Sequence, residues 1–325
     1  MDYVRLGATG LEVSPLCLGT WRFGQESGDV VETDRDDAHE VLDAWADHGG
    51  NFIDTANGYG GGDSERWIGE WLAERDREDY VLASKCYWSE VSRFQENTSR
   101  KNVRAEVEGS LDRLDTDYLD VLYLHRWDDG TPIEETLSAL DTLIADGTVR
   151  YVGASTMPAW KFSKALYEAD LENAERFVSM QCEYNLVDRH EEVNVLPLCA
   201  DQGIGVLPWS PLAGGFLTGK YSRDDDPDEG RAATDEFMQK RFTEENWTVL
   251  EVVRELANAK DVTPAQLSLA WLLHTDVVDA PIVGPRTVEH LEESVGALAV
   301  ELTDDEIERL EAPLTPVWNP EIGDV

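Results

Sequence analysis

The chain has 325 residues, 42% of them hydrophobic and 9% aromatic, which suits a single α/β barrel or two smaller domains with a sizeable core. Its 67 acidic against 27 basic residues leave a formal net charge of −40, which argues against a nucleic-acid-binding surface because phosphates need basic partners. Four cysteines (Cys17, Cys86, Cys182 and Cys199) form no CxxC pair and no cluster with histidine, so neither a metal site nor a disulfide framework is expected.

The acids are spread rather than gathered into a tail. They recur in every helix-like segment, as in Asp34-Arg35-Asp36-Asp37, Glu292-Glu293 and Asp304-Asp305-Glu306, while lysine occurs only seven times. Self-repulsion of this size is relieved when salt screens it, and adaptation to very high salt is the expectation. An acidic surface for a basic partner is the competing explanation. No apolar run approaches the ~18 residues of a membrane span and no apolar leader follows Met1, so a soluble, reduced, cytoplasmic protein without a membrane partner is expected.

In chain order, Val4 to Leu6 and Glu12-Val13 predict a hairpin, followed by a first strand at Leu16 to Gly19. Ala38, Val41, Leu42 and Trp45 share one helical face at i, i+3, i+4, i+7. Strand two, Phe52-Ile53, runs into Asp54, and Tyr59 follows in a glycine-rich turn. A helix from Ser64 to Leu72, with Ser64 as its N-cap, leads to strand three, Tyr80 to Ala83, just before Lys85. A helix marked by Val103, Val107, Leu111 and Leu114 leads to strand four, Leu119 to Leu124, and His125.

The helix from Ile133 to Ile144 ends at Gly147, and strand five, Tyr151 to Ala154, precedes Ser155. A helix from Ala159 to Glu168 precedes strand six, Phe177 to Met180, which stops at Gln181. Val193 to Ala200 is helical, and strand seven, Gly205 to Leu207, reaches Trp209-Ser210. A long loop, 211–243, carries a solvated acidic run at 224–230. Helices Trp247 to Lys260 and Pro264 to His274, strand eight at Val277 to Val283, and helices Val288 to Leu298 and Thr303 to Leu310 complete the chain before a Pro-rich tail.

Eight strands each followed by helix describe a (β/α)8 TIM barrel occupying 1–325 as a single domain, with an N-terminal hairpin and a C-terminal helix and tail. A doubly wound sheet is the runner-up. In a barrel the eight strand ends converge on one face, so Asp54, Tyr59, Lys85 and His125 become neighbours. Each has an ordinary alternative: a capping acid, a surface phenol, a snorkelling lysine, a core histidine. Together they compose a site that protonates a carbonyl oxygen or deprotonates an alcohol. Asp54 partners Lys85, and Lys85 is expected to lower the Tyr59 phenol toward neutral pH, making it a usable proton donor.

These residues resemble those of the aldo-keto reductases from Leu16 to about Ala297. The resemblance is carried by Leu18-Gly19-Thr20-Trp21, by Asn51 to Glu65, and by Ala83-Ser84-Lys85. It continues through Leu124-His125-Arg126-Trp127, Gly147 to Ser155, and Pro208 to Gly215. Within that family the chain is closest to the branch of aryl-alcohol dehydrogenases and potassium-channel β subunits. The resemblance implies reduction of an aldehyde or ketone by a nicotinamide cofactor, or the reverse, with Tyr59 as acid/base, Lys85 and Asp54 tuning it and His125 positioning the carbonyl. The partner is then a small-molecule carbonyl or alcohol substrate.

No complete GxGxxG is present, and Gly214 to Lys220 matches a P-loop only up to Tyr221, which replaces the required hydroxyl residue. By resemblance this loop instead closes over the dinucleotide, with Ser210, Leu212, Gly214 and Lys220 at matching positions. Trp209 is placed on the nicotinamide face, Ser155 and Gln181 on its amide, and Thr20, Trp21, Asp54 and Gly284 also beside the cofactor. Arg231, Arg286, His290, Glu293 and Ser294 complete the set, with Arg286 at the adenosine 2′-phosphate, so NADP(H) is expected and NAD(H) is the alternative. The family more often has Gln and Asn where this chain has His290 and Ser294, and Asn where it has Thr156. Trp21, Trp88, Trp127 and Phe94 are candidate linings of an apolar substrate pocket. The rival functions are a Schiff-base aldolase using Lys85 and a cofactor-binding regulatory subunit with little turnover.

Overall fold

The structure is a computed structural model that describes residues 1–27, 30–88, 96–223 and 236–317. Phe94, the acidic run 224–230, Arg231 and the end of the Pro-rich tail lie outside the described residues.

An antiparallel hairpin comes first, β1 (Val4–Arg5) with β2 (Glu12–Val13). Strand β3 (Cys17–Gly19) follows, then a small hairpin absent from the sequence expectation, β4 (Glu26–Ser27) with β5 (Val30–Val31). The remaining strands are β6 (Phe52–Asp54), β7 (Val81–Cys86), β8 (Leu119–Leu124), β9 (Val149–Ser155), β10 (Ser179–Glu183), β11 (Gly205–Trp209) and β12 (Ile282–Val283). They join in the order β11-β10-β9-β8-β7-β6-β3-β12, every pairing parallel. The ring closes where Val206 bridges Val278, with the Asp279 N–H donating to the Val206 carbonyl at 3.0 Å. This is a (β/α)8 barrel.

Between successive strands lie α1 (Arg35–Asp47), α2 (Asp63–Leu72), α3 (Arg100–Leu114), α4 (Ile133–Ala145), α5 (Ala159–Glu172) and α6 (Val195–Gln202). A short α7 (Glu236–Gln239), α8 (Glu244–Lys260), α9 (Pro264–Leu273), α10 (Val288–Gly296) and α11 (Asp304–Glu311) follow. Local chemistry sets their starts. Asp34 accepts the N–H groups of Asp36 and Asp37 at the head of α1, and Thr263 and Gln266 form a reciprocal capping box at α9, where Pro264 needs no N–H partner. Among the described residues no helix is long and apolar enough to cross a membrane.

Three expectations are corrected. Ser64 is not a cap: Gly62, at φ 89°, precedes α2, and the buried Ser64 hydroxyl instead bonds Thr20 Oγ1 at 2.7 Å and Thr55 Oγ1 at 2.9 Å, tying two strand ends together. Strand eight is short because Pro281 has no N–H for a ladder, leaving Ile282–Val283 as β12. Several strands also extend past their apolar runs, so Lys85, Ser155, Gln181 and Trp209 sit within strands and not just beyond them.

Side chains divide by strand alternation. Leu18, Ile53, Leu82, Leu122 and Val152 face outward into the larger core shared with the helices. Cys17, Phe52, Val81, Ala83, Val121, Tyr123 and Leu207 fill the barrel interior, over a floor made by Leu6 and Val13 of the first hairpin. Tyr123 occupies the space opposite Gly153, where an added Cβ would lie 2.2 Å from its ring, and its hydroxyl bonds Ser179 at 2.8 Å.

Candidate active site

The alternation that buries Phe52, Val81-Ala83 and Val121-Tyr123 inside the barrel carries the next inward positions to its mouth. Those positions are Asp54, Lys85 and His125. Gly153 and Ser179 lead in the same way to Ser155 and Gln181, and Leu207 leads to Trp209. One parity rule thus delivers six polar or aromatic groups from six strands to one place.

Lys85 Nζ donates to Asp54 Oδ2 at 2.5 Å, to the Thr55 carbonyl at 2.9 Å and to the Tyr59 hydroxyl at 3.1 Å. Asp54 is 3% and Lys85 2% exposed, so this is a buried charge pair with no water to replace a missing partner. The other Asp54 oxygen accepts from Gln181 Nε2 at 2.6 Å, and its backbone carbonyl accepts from the Thr20 N–H and hydroxyl, each at 3.0 Å. Asp54 is therefore fully engaged and caps no helix. The sequence marks Gln181 only as a cofactor contact; its bond to Asp54 joins residues 127 apart and has no local sequence signal.

Tyr59 opens a single turn, Tyr59–Gly62, in which Gly60 has φ 57°. A Cβ there would lie 2.4 Å from the Phe23 carbonyl, so only glycine lets the turn fold back this tightly and hold the phenol over Lys85. The Lys85 ammonium also lies 4.7 Å from the Tyr59 ring centroid. The His125 ring meets Tyr59 edge-on at 6.0 Å and Trp88 at 4.5 Å, and its Nδ1 is buried with no hydrogen-bond partner.

Burial opposes the charge on Lys85, but the Asp54 carboxylate, Tyr59 and the hydrogen bonds to both raise its pKa above the ordinary value. The expected depression of Tyr59 is corrected: burial pushes the phenol above its usual range and Asp54 adds to the rise, outweighing the pull of Lys85. His125 is driven well below its usual range by burial, then by Lys85 and Arg126, so the imidazole is neutral. The cluster presents a neutral phenol, a fixed cation and a neutral imidazole.

The residues named for a cofactor fall in two groups. Thr20, Ser155, Gln181 and Trp209 lie at the barrel mouth, and Trp21 stands exposed beside it. Ser210, at φ 51°, has its carbonyl bonded by Asn185, and Leu212 opens the following turn. Gly214 packs on Met238, and Lys220 Nζ sits 3.1 Å from where a Gly215 Cβ would stand. Arg241, just after Met238, pairs with Glu183 of β10, which fastens this segment to the barrel. Gly284 is exposed, Thr287 caps α10, Arg286 precedes it, and His290 lies in the first turn of that helix and Glu293 in the second. Ser294 is turned back onto the His290 carbonyl at 2.9 Å.

Lys220 is lowered by burial and then by the positive charges of Arg286 and Arg22, and His290 by burial and then by Arg286. Cations from three parts of the sequence thus crowd one spot of a chain that is acidic almost everywhere else, which fits an anionic group such as a dinucleotide phosphate. Arg22, which also pairs with Glu32, escapes sequence inspection because nothing in the spacing from 22 to 220 or 286 announces the meeting.

Residues 15–314 match the model described as the aldo/keto reductase family. The chain is 38% identical to norsolorinic acid reductase B of Aspergillus parasiticus, covering 94% of this chain and 81% of that one. It is 33% identical to versiconal hemiacetal acetate reductase of Aspergillus parasiticus, covering 97% and 98% of the two chains. A putative aryl-alcohol dehydrogenase of Schizosaccharomyces pombe is 35% identical, with 97% and 96% covered.

Because Asp54 is the only counter-charge on Lys85 at hydrogen-bond distance among the described residues, Asp54→Asn leaves an uncompensated buried cation. The expected cost is about 3–5 kcal/mol of unfolding free energy in denaturant titration, with most of it recovered in Asp54→Asn/Lys85→Met. A single variant as stable as the wild type contradicts the pairing.

Proposed function

The chain belongs to the aldo/keto reductase family and is an oxidoreductase working with a nicotinamide cofactor; from that premise we propose that it reduces aldehydes or ketones to alcohols, or runs the reverse, with Tyr59 as the acid/base. The observation that carries this is the contact of the Tyr59 hydroxyl with Lys85, itself locked to Asp54. When bound, the nicotinamide supplies or accepts the hydride. The protein supplies the proton and the field in which the oxygen becomes charged.

In the reducing direction the carbonyl oxygen meets Tyr59, which gives up its phenolic proton as negative charge develops on that oxygen. The Lys85 ammonium then faces the phenolate it leaves behind and stabilises it, which is where the cation acts; in the resting site burial keeps the phenol protonated. Asp54 holds the ammonium in place, and Gln181 and Thr20 hold Asp54. Neutral His125 orients the carbonyl without competing as an acid. A Schiff base on Lys85 is disfavoured, since the raised pKa keeps the amine protonated. The intact cluster likewise disfavours a subunit without turnover.

NADP(H) is the preferred cofactor in this proposal, supported by the Lys220, Arg286 and Arg22 charges. Arg286 would meet the 2′-phosphate and Lys220 the pyrophosphate. An aromatic or medium-sized carbonyl is supported by Trp21, Trp88 and Trp127 near the mouth and by relatives named for an aryl alcohol and for norsolorinic acid. The enzyme works in concentrated salt, which the dispersed 67 acids and scarce lysine support.

Two measurements check this. In Tyr59→Phe, reduction falls by about 10²–10⁴-fold, while fluorescence titration still gives wild-type binding of NADPH, tighter than NADH. Joint loss of binding and rate makes the residue structural, and equal affinities overturn the NADP preference. Unfolding followed against potassium chloride gives a midpoint that climbs into molar salt; full stability in dilute buffer contradicts the salt adaptation.

A further inference from the structure

Helix α5 is apolar on both sides. Phe162, Ala165, Leu166 and Ala169 face the barrel, as a surface helix requires. On the opposite side Trp160, Tyr167 and Leu171 stand 66%, 61% and 59% exposed. With exposed Lys164 they fall at i, i+4, i+7 and i+11, one continuous stripe along the helix. Exposed Val193 extends it, because Asn194 Oδ1 accepts the Ala159 N–H at 3.3 Å and so holds that turn against the start of α5. Large apolar residues gathered in this way mark an interaction surface.

The charges along the stripe point to its occupant. Lys164, one of the seven lysines, stands on the stripe in the first half of α5 and Glu168 follows in the second half, while Lys161 is buried and pairs with Asp129, and Asp170 pairs with Arg176. Among the described residues Lys164 makes no ion pair. A basic partner would find acids over most of this molecule but the Lys164 cation here, and an apolar lipid surface would leave Lys164 and Glu168 without counter-charges. A second α5 running antiparallel satisfies both halves. A two-fold axis between Ala165 and Leu166 sets Trp160 against the partner's Leu171, and Lys164 beside the partner's Tyr167 and the partner's Glu168. Such an isologous contact is self-complementary.

We propose that the exposed stripe Trp160, Lys164, Tyr167 and Leu171 of α5, with Val193, is the interface through which two copies of this chain pair antiparallel as a dimer. Each copy carries a net charge of −40, so the dimer is opposed by long-range repulsion at low salt. It tightens as salt shortens the screening length toward ~3 Å at 1 M. The stripe supplies only part of the roughly 800 Å² per partner of a standard interface, so the association is reversible and concentration-dependent.

Sedimentation velocity of the full chain, over a protein dilution series in potassium chloride from the lowest concentration at which circular dichroism shows it folded up to 3 M, tests this. The expected result is a shift toward twice the monomer mass as salt rises, abolished in Trp160→Glu and Leu171→Glu. Both variants should keep wild-type circular dichroism and unfolding, since the side chains are exposed. Lys164→Glu weakens the dimer at least about tenfold, equivalent to ~1.4 kcal/mol, and Lys164→Glu/Glu168→Lys restores it by exchanging the charges. A monomer at every salt and concentration, or a dimer indifferent to Trp160→Glu, overturns the proposal. So does a monomer that instead floats with neutral lipid vesicles.

Discussion

The structure depends on keeping a lysine ammonium charged inside a barrel mouth. Lys85 is almost fully enclosed, and desolvation alone would strip its proton. Asp54, the Thr55 carbonyl and the Tyr59 hydroxyl supply what water would have supplied, and each is fixed in turn by a neighbour. Gln181 and Thr20 immobilise Asp54, the glycine-rich turn immobilises Tyr59, and the Ser64 hydroxyl laces Thr20 to Thr55. The charge pair sits where alternation along parallel strands places it, so the fold and the proposed chemistry rest on one geometric rule.

That rule explains what is legible in the sequence. The repeated change from short apolar runs to helical periodicity identifies the barrel, and an acid, a lysine and a histidine after strands two, three and four mark the mouth. Strand ends are less legible, because apolar runs stop at Ala83 and Met180 while pairing continues through Lys85 and Glu183. Polar residues look like boundaries until the neighbouring strand is present to bond their backbone. Ser64 misleads for a related reason, since its local pattern fits a cap but its hydroxyl is claimed by Thr20 and Thr55, just past the ends of two strands.

The site contains a subtler failure of local inference. A cation beside a phenol lowers its pKa in water, yet enclosure reverses the sign at Tyr59, and enclosure is a property of the whole mouth. The bond from Gln181 to Asp54 and the part played by Arg22 are missed because their partners are distant in sequence. Charge economy, by contrast, reads well at both levels. With 27 bases against 67 acids, a cation held in place has a particular counterpart to meet: Lys85 meets Asp54, and Lys220 with Arg286 is proposed to meet a phosphate. Lys164 is proposed to meet a second copy of the chain.

The central claim is that burial holds Tyr59 neutral beside a fixed Lys85 cation, so that it is a proton donor at working pH. Ultraviolet difference titration of the wild-type protein against Tyr59→Phe isolates the ionisation of that one phenol. The account predicts that its phenolate signal appears only above the ordinary tyrosine value of about 10. A phenolate already forming near neutral pH would contradict it.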